Sequence, residues 1–149
     1  MVESKISALE VEDAVHRYWR VLMEKSSGEM ANFYTYDAMV FSPFSPRPEP
    51  GRVSAARKER EYFTPGTTFR AEIVGPINVQ LVDTKTAIAT YQFRWRAQGM
   101  VEHLLGKKFD KALRDGRATQ VFILAPDGSL KIVNEHLSDI WRDGTAQES

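Results

Sequence analysis

Two runs with strand-like patterning, residues 117–124 and 129–141, flank Ala125-Pro126-Asp127-Gly128, and no other feature restricts the fold of this chain as much. Pro and Asp suit the centre of a type I turn and Gly the left-handed position after it, so the runs are expected to form a tight antiparallel hairpin. If that turn closes on Ala125 opposite Ser129, Phe122 faces Ile132, Gln120 faces Asn134 and Ala118 faces His136 on one side of the sheet. The other side then carries Thr119, Val121 and Ile123 against Lys131, Val133, Glu135 and Leu137.

Further strands precede the hairpin. Over residues 86–97, Ala87, Ala89, Tyr91, Phe93 and Trp95 alternate with Ile88, Thr90, Gln92, Arg94 and Arg96, the period of a strand. Residues 69–74 and 77–82 are separated by Gly75-Pro76, which predicts one long strand interrupted by a bulge or bend. Asp83-Thr84-Lys85 turns it into the next. Ahead of these lies a helical region: over residues 7–26, Leu9, Val11, Ala14, Val15, Tyr18, Trp19, Val21 and Leu22 recur at helical spacing. Residues 29–34 predict another turn or two, and 38–42 a short strand. Four prolines within residues 43–51 make that segment a loop. Residues 52–63 predict a second helix with Val53, Ala56, Arg60 and Phe63 along one stripe. Residues 98–115 read either as a helix broken at Gly106 or as a long hairpin connection, and a partly helical excursion is the expectation.

Composition narrows the function. Twenty basic residues balance twenty acidic ones, so the general attraction to nucleic acid or an anionic membrane is missing, and neither is expected as a partner. With no cysteine, disulfides, thiolate metal ligands and a cysteine nucleophile are excluded. The histidines are scattered, and His16 and His103 have no second ligand at metal spacing, so no metal site is expected. There is no phosphate loop, nucleophile elbow or hydride-cofactor fingerprint, hence no expected cofactor. The N-terminus lacks an apolar core of signal-peptide length and no window has the length of a membrane helix, which reads as a cytoplasmic protein. Its 149 residues, 42% hydrophobic and without an interdomain linker, suit a single domain over 1–149.

The order of elements, ending in long strands and an Asp-Gly hairpin, resembles the nuclear transport factor 2-like superfamily. Within it the SnoaL-like branch is the nearest match, which is also similar to the association domain of calcium/calmodulin-dependent kinase II. Gly116-Arg117-Ala118-Thr119-Gln120-Val121-Phe122 looks like the family's arginine-x-threonine strand, residues 127–133 its turn, and Glu135-His136-Leu137-Ser138 its terminal histidine-x-serine strand. Phe33-Tyr34 with residues 36–41 resembles the lead into its first strand. Ser129-Leu130 lacks the tryptophan common in that turn, and residues 98–115 look longer than the usual connection. The resemblance implies an α+β fold in which a curved antiparallel sheet, a cone-shaped half-barrel, is closed by N-terminal helices over a small-molecule pocket. It does not select among isomerases, cyclases, dehydratases and oligomerisation modules.

The hairpin register gathers Gln120, Asn134 and His136 beside Phe122 and Ile132, a mixture that suits a ligand held by apolar contact and oriented by a few hydrogen bonds. The resemblance directs His136 inward, where imidazole would exchange protons near neutral pH; the alternative is a buried, hydrogen-bonded histidine. Asp37 is a candidate base if an apolar pocket raises its pKa, and otherwise caps a turn. Tyr18, Trp19, Tyr34 and Tyr36 are candidate lining residues or core packing. Arg94, if inward, would bind a carboxylate, and if outward is a solvated charge. Both sheet faces carry apolar residues while the helices cover one, so the other is expected to pack against a second copy, sheet to sheet. Two functions follow: a cofactor-independent isomerase, cyclase or dehydratase acting on a small, mostly apolar carbonyl compound, or a non-catalytic dimer that binds a ligand or assembles.

Overall fold

Ser7 starts the first helix. Its Oγ accepts a hydrogen bond from the Glu10 amide (3.2 Å) and donates one to Glu10 Oε1 (2.8 Å), a capping pair that occupies one of the orphan donors of the first turn. The computed structural model describes residues 4–43, 45–63, 66, 68–98 and 114–139. Helix α1 runs Ala8–Glu24 and ends where Lys25 turns left-handed, at φ 56°. A 3-10 turn, Met30–Phe33, leads into β1, Tyr34–Phe41, which begins four residues earlier than the sequence predicts. The proline-rich loop contains a two-residue strand, β2, Glu49–Pro50, and leads into α2, Gly51–Tyr62. Then come β3, Thr68–Asp83; β4, Thr86–Gln98; β5, Arg114–Leu124; and β6, Leu130–Asp139. The expected partly helical excursion over 98–115 lies mostly outside the described residues; Arg114 and Asp115 belong to β5.

The six strands form one sheet in the order β2-β1-β6-β5-β4-β3, antiparallel except for the parallel β1–β6 pair. It is the expected α+β architecture, with the helices on one face. There α1 buries Val11, Val15, Tyr18, Trp19 and Leu22 against Ala87, Ala89, Tyr91 and Phe93 of β4 and Phe122 of β5. Trp19 lies 4.5 Å from Phe93 and 6.4 Å from Phe69, centroid to centroid, and Tyr62 lies 4.5 Å from Phe69. Such pairs add about 0.5–1.5 kcal/mol each beyond the area they bury.

Helix α2 is rotated from its expected orientation. It buries Ser54, Ala55, Lys58 and Tyr62, whereas Val53 is exposed. In this orientation Lys58 meets a buried carboxylate on β6, a countercharge that makes burial of the ammonium tolerable.

The closing hairpin forms as the turn residues dictate. Gly128 N–H donates to the Ala125 carbonyl (2.9 Å), Ala125 N–H to the Ser129 carbonyl (2.8 Å), and Gly128 takes φ 88°, where a side chain would be strained. Phe122 pairs with Ile132 as expected. One residue later the register slips: Val121 pairs with Asn134 and Gln120 with Glu135, leaving Val133 as the extra residue of a bulge. Because strand side chains alternate, that residue reverses the expected facing of everything after it. Ala118 therefore meets Leu137, and His136 pairs with Thr119 on the outer face.

Candidate functional site

The inward side of the shifted register carries a buried polar network. Glu135, with 0% of its surface exposed, is its centre. Its Oε1 accepts from Tyr34 Oη (2.7 Å), Tyr18 Oη (3.2 Å) and Lys58 Nζ (3.2 Å), and its Oε2 from Gln120 Nε2 (2.6 Å). Lys58, 4% exposed, also donates to Ser54 Oγ (2.9 Å) and Tyr34 Oη (3.1 Å). A second branch runs from Trp19 Nε1 to Tyr91 Oη (2.9 Å) and from Tyr91 Oη to Gln120 Oε1 (2.8 Å). Ion pairing with Lys58 and four hydrogen bonds make burial of the carboxylate tolerable.

Burial, and then the Glu135 carboxylate, hold the Tyr18 and Tyr34 hydroxyls well above the ordinary phenol range. Burial also raises Tyr91, partly offset by the hydrogen bond from Trp19. All three are neutral at physiological pH and act as hydrogen-bond donors. Beside the network is a hollow of about 30 Å³, lined by Trp19, Tyr62, Phe69, Phe93 and Trp95, with Lys58 as its one charged residue among the described residues. That is room for about two water molecules.

The sequence-predicted site residues divide between the two faces. Tyr18, Trp19, Tyr34 and Gln120 meet in the network, and Phe122 and Ile132 pack in the core beneath it. Asn134 and His136 point outward; the imidazole sits 5.5 Å from the Phe41 ring. The expected cluster of Gln120, Asn134 and His136 is therefore split, and the physical cause is the bulge at Val133. Asp37 is exposed, accepts from Thr35 Oγ1 (2.9 Å) and does not line this hollow. Tyr36 is 86% exposed, with the Arg52 guanidinium 4.9 Å from its ring centroid. Arg94 faces outward and pairs with Asp115 (2.8 Å), so it is not the inward carboxylate-binding group considered above. Sequence reasoning missed Glu135, Lys58 and Tyr91 as functional groups. One signal was available for Glu135: the apolar residues Ile132 and Leu137 are five apart, and an odd spacing requires an extra residue if both are to face the core.

Three solved structures superpose on nearly the whole chain. A candidate calcium/calmodulin dependent protein kinase II association domain from Xanthomonas campestris shares 17% identity at a TM-score of 0.72, covering 96% of this chain and 99% of its own. A nuclear transport factor 2-like superfamily protein from Salmonella enterica serovar Typhimurium shares 16% at 0.69, covering 93% and 94%. The chain has the nuclear transport factor 2-like fold. A ketosteroid isomerase-like protein from Erwinia carotovora atroseptica shares 15% at 0.69, covering 90% and 96%. No family model and no curated protein matches the sequence. Since the nuclear transport factor 2-like fold supports unrelated activities, the function has to be argued from the side chains above. Among the described residues there is no metal-binding cluster, and no helix is long and apolar enough to cross a membrane.

Proposed function

We propose that this protein binds a compact, mostly apolar carbonyl compound in the aromatic hollow, and that Lys58, Tyr34 and Glu135 carry out a cofactor-independent proton transfer on it, of the isomerase, cyclase or dehydratase kind. One observation carries the reading: Lys58, the only charged residue lining the hollow among the described residues, is also the residue that reaches Glu135. A ligand oxygen turned toward this corner meets the Lys58 ammonium, a donor of the kind that stabilises an enolate, with the Tyr34 hydroxyl bonded to that ammonium from behind. The carboxylate beside them accepts the proton lost from the adjacent carbon and returns it elsewhere on the ligand. His136 and Asp37 lie outside this site. The ketosteroid isomerase-like neighbour is compatible with such chemistry without selecting it. The hollow must widen to admit even a small ring, which requires side-chain movement at Tyr62 or Trp95.

The test uses a β,γ-unsaturated cyclic ketone, with binding read by quenching of tryptophan fluorescence and turnover by the absorbance of the conjugated enone. Glu135→Gln keeps an acceptor at Oε1 and is expected to lower kcat about 100-fold or more, while His136→Ala leaves it within about twofold. Turnover that survives Glu135→Gln refutes the enzymatic half; failure of any such ketone to quench at millimolar concentration refutes the binding half.

A second reading, a non-catalytic homodimer, is favoured by the outer face, where Ile88, Val121, Ile123 and Met39 form an apolar strip that no helix among the described residues covers. A sheet-to-sheet dimer buries this strip. Sedimentation then shows a dimer at micromolar concentration that Val121→Glu dissociates, and ligand binding proceeds without turnover. A stable wild-type monomer rules it out.

A further inference from the structure

The outer face holds a second, larger concavity, of about 580 Å³, on the side of the sheet away from the hollow. The strand pairings order its walls into two adjacent rungs. The first runs Val74, Gln92, Arg117, Ser138 and the second Asn78, Thr90, Thr119, His136. Between the rungs β3 departs from β4: the register breaks from Val74 to Asn78, with Gly75 at φ 75° and Pro76 beside it. Only glycine holds that conformation without strain, and proline donates nothing to the ladder, so the edge of the sheet bends away and opens the groove.

The groove is chemically one-sided. It carries two basic side chains, Arg117 and His136, with the hydroxyls of Thr90, Thr119 and Ser138 and the amides of Gln92 and Asn78, and among the described residues no acidic side chain lines it. The bias is local, because the chain as a whole balances twenty basic residues with twenty acidic ones. Of the neighbouring acids, Asp115 lies one rung away, paired with Arg94, and Glu72 is opposite Arg94 on the same rung. Arg117 forms no ion pair among the described residues. Both the arginine-x-threonine and the histidine-x-serine pairs that stand out in the sequence end here, on adjacent strands, rather than in the interior.

We propose that this groove is a binding site for a small hydroxylated anion, a sugar phosphate or a hydroxycarboxylate. Arg117 engages the oxyanion in bidentate fashion beside His136, and the threonines, Gln92 and Asn78 bond the hydroxyl-bearing body. The volume lies within the range of small-molecule sites, whereas the interior hollow is too small for such a ligand and too aromatic to hold its charge. The site is independent of the proton-transfer proposal above.

The test is a titration of the isotopically labelled full chain, followed by amide chemical shifts, with glucose 6-phosphate, malate, inorganic phosphate and neutral glucose. Saturable shifts centred on Thr90, Gln92, Arg117, Thr119 and His136 are expected with glucose 6-phosphate, malate or both, and which of the two binds tighter identifies the anion type. Arg117→Gln is expected to weaken binding about tenfold or more, the scale of one charge-assisted pair. Arg20→Gln, on exposed helix surface, is expected to leave it unchanged. The proposal is overturned by any of four results: no saturable shift at 20 millimolar concentrations, on the order of the weakest useful affinity; shifts undiminished in Arg117→Gln; equal loss in Arg20→Gln; or glucose binding as well as its phosphate. Inorganic phosphate binding as tightly as glucose 6-phosphate likewise overturns the role given to the hydroxyl-bearing wall.

Discussion

Removing Lys58 tests the energetic logic of the interior directly. In Lys58→Met a side chain of similar length keeps the packing, but Glu135 is left fully buried with Tyr18, Tyr34 and Gln120 as donors and no countercharge. Breaking a buried pair in this way costs about 3–5 kcal/mol, because the desolvation of the remaining charge is no longer offset. At roughly 3 °C per kcal/mol for a domain of this size, Tm falls by about 10–15 °C. The informative experiment adds Glu135→Gln to the same chain. The glutamine Oε1 still accepts from both tyrosines, and the stranded charge is gone, at the cost of an amide facing Gln120 Nε2. The double variant is therefore expected to be more stable than Lys58→Met by at least about 1 kcal/mol, a second substitution that rescues the first. Equilibrium urea unfolding followed by far-ultraviolet circular dichroism measures both differences. A Lys58→Met cost below about 1 kcal/mol, or a double variant less stable than either single one, refutes the view that uncompensated charge dominates here.

The bulge makes a paired prediction on adjacent residues: Glu135→Ala lowers stability by about 3 kcal/mol or more, whereas His136→Ala changes it by about 0.5 kcal/mol or less, and the reverse order in urea unfolding refutes the register. Tyr18, Tyr34, Tyr62 and Tyr91 are all raised above the ordinary phenol range, chiefly by burial, so the fold holds their neutral form. Their contribution is complete below the unfolded value near 10 and is lost as pH rises above it, so phenolate absorbance of these four and loss of circular dichroism are expected to rise together in alkaline titration. Gly128→Ala forces a side chain into the left-handed region and is expected to cost about 1 kcal/mol in urea unfolding; no loss refutes the turn assignment.

Much of the architecture was legible because local signals agreed. Apolar spacing over residues 7–26 marked a helix, Gly75-Pro76 an interrupted strand, and Pro126-Asp127-Gly128 a specific turn, each set within a short stretch of sequence. Alternation through β4 separated its two sets of side chains, and the set of Ala87, Ala89, Tyr91, Phe93 and Trp95 is the one in the core. The site was less legible, since it depends on relations between distant segments. Lys58 reads as a solvated charge on a highly charged helix until Glu135 is known to face it, and Glu135 reads as outward until the bulge is known. Local periodicity reports which positions share a side only while the count of residues stays even, and a single insertion defeats it. The parallel β1–β6 pair was illegible for a similar reason: a pairing across about a hundred residues leaves no local pattern.

Val133 acts as slack in β6. With this residue deleted, Ile132 would still meet Phe122, and Asn134 and Glu135 would still meet Val121 and Gln120, so the interior carboxylate and the exterior imidazole would keep their places. A deletion between Glu135 and Ser138 would instead draw on that slack to keep the strand's end in step, exchanging which group addresses which compartment. The last strand can thus change length by one residue at a single point without altering the chemistry on either side of the sheet.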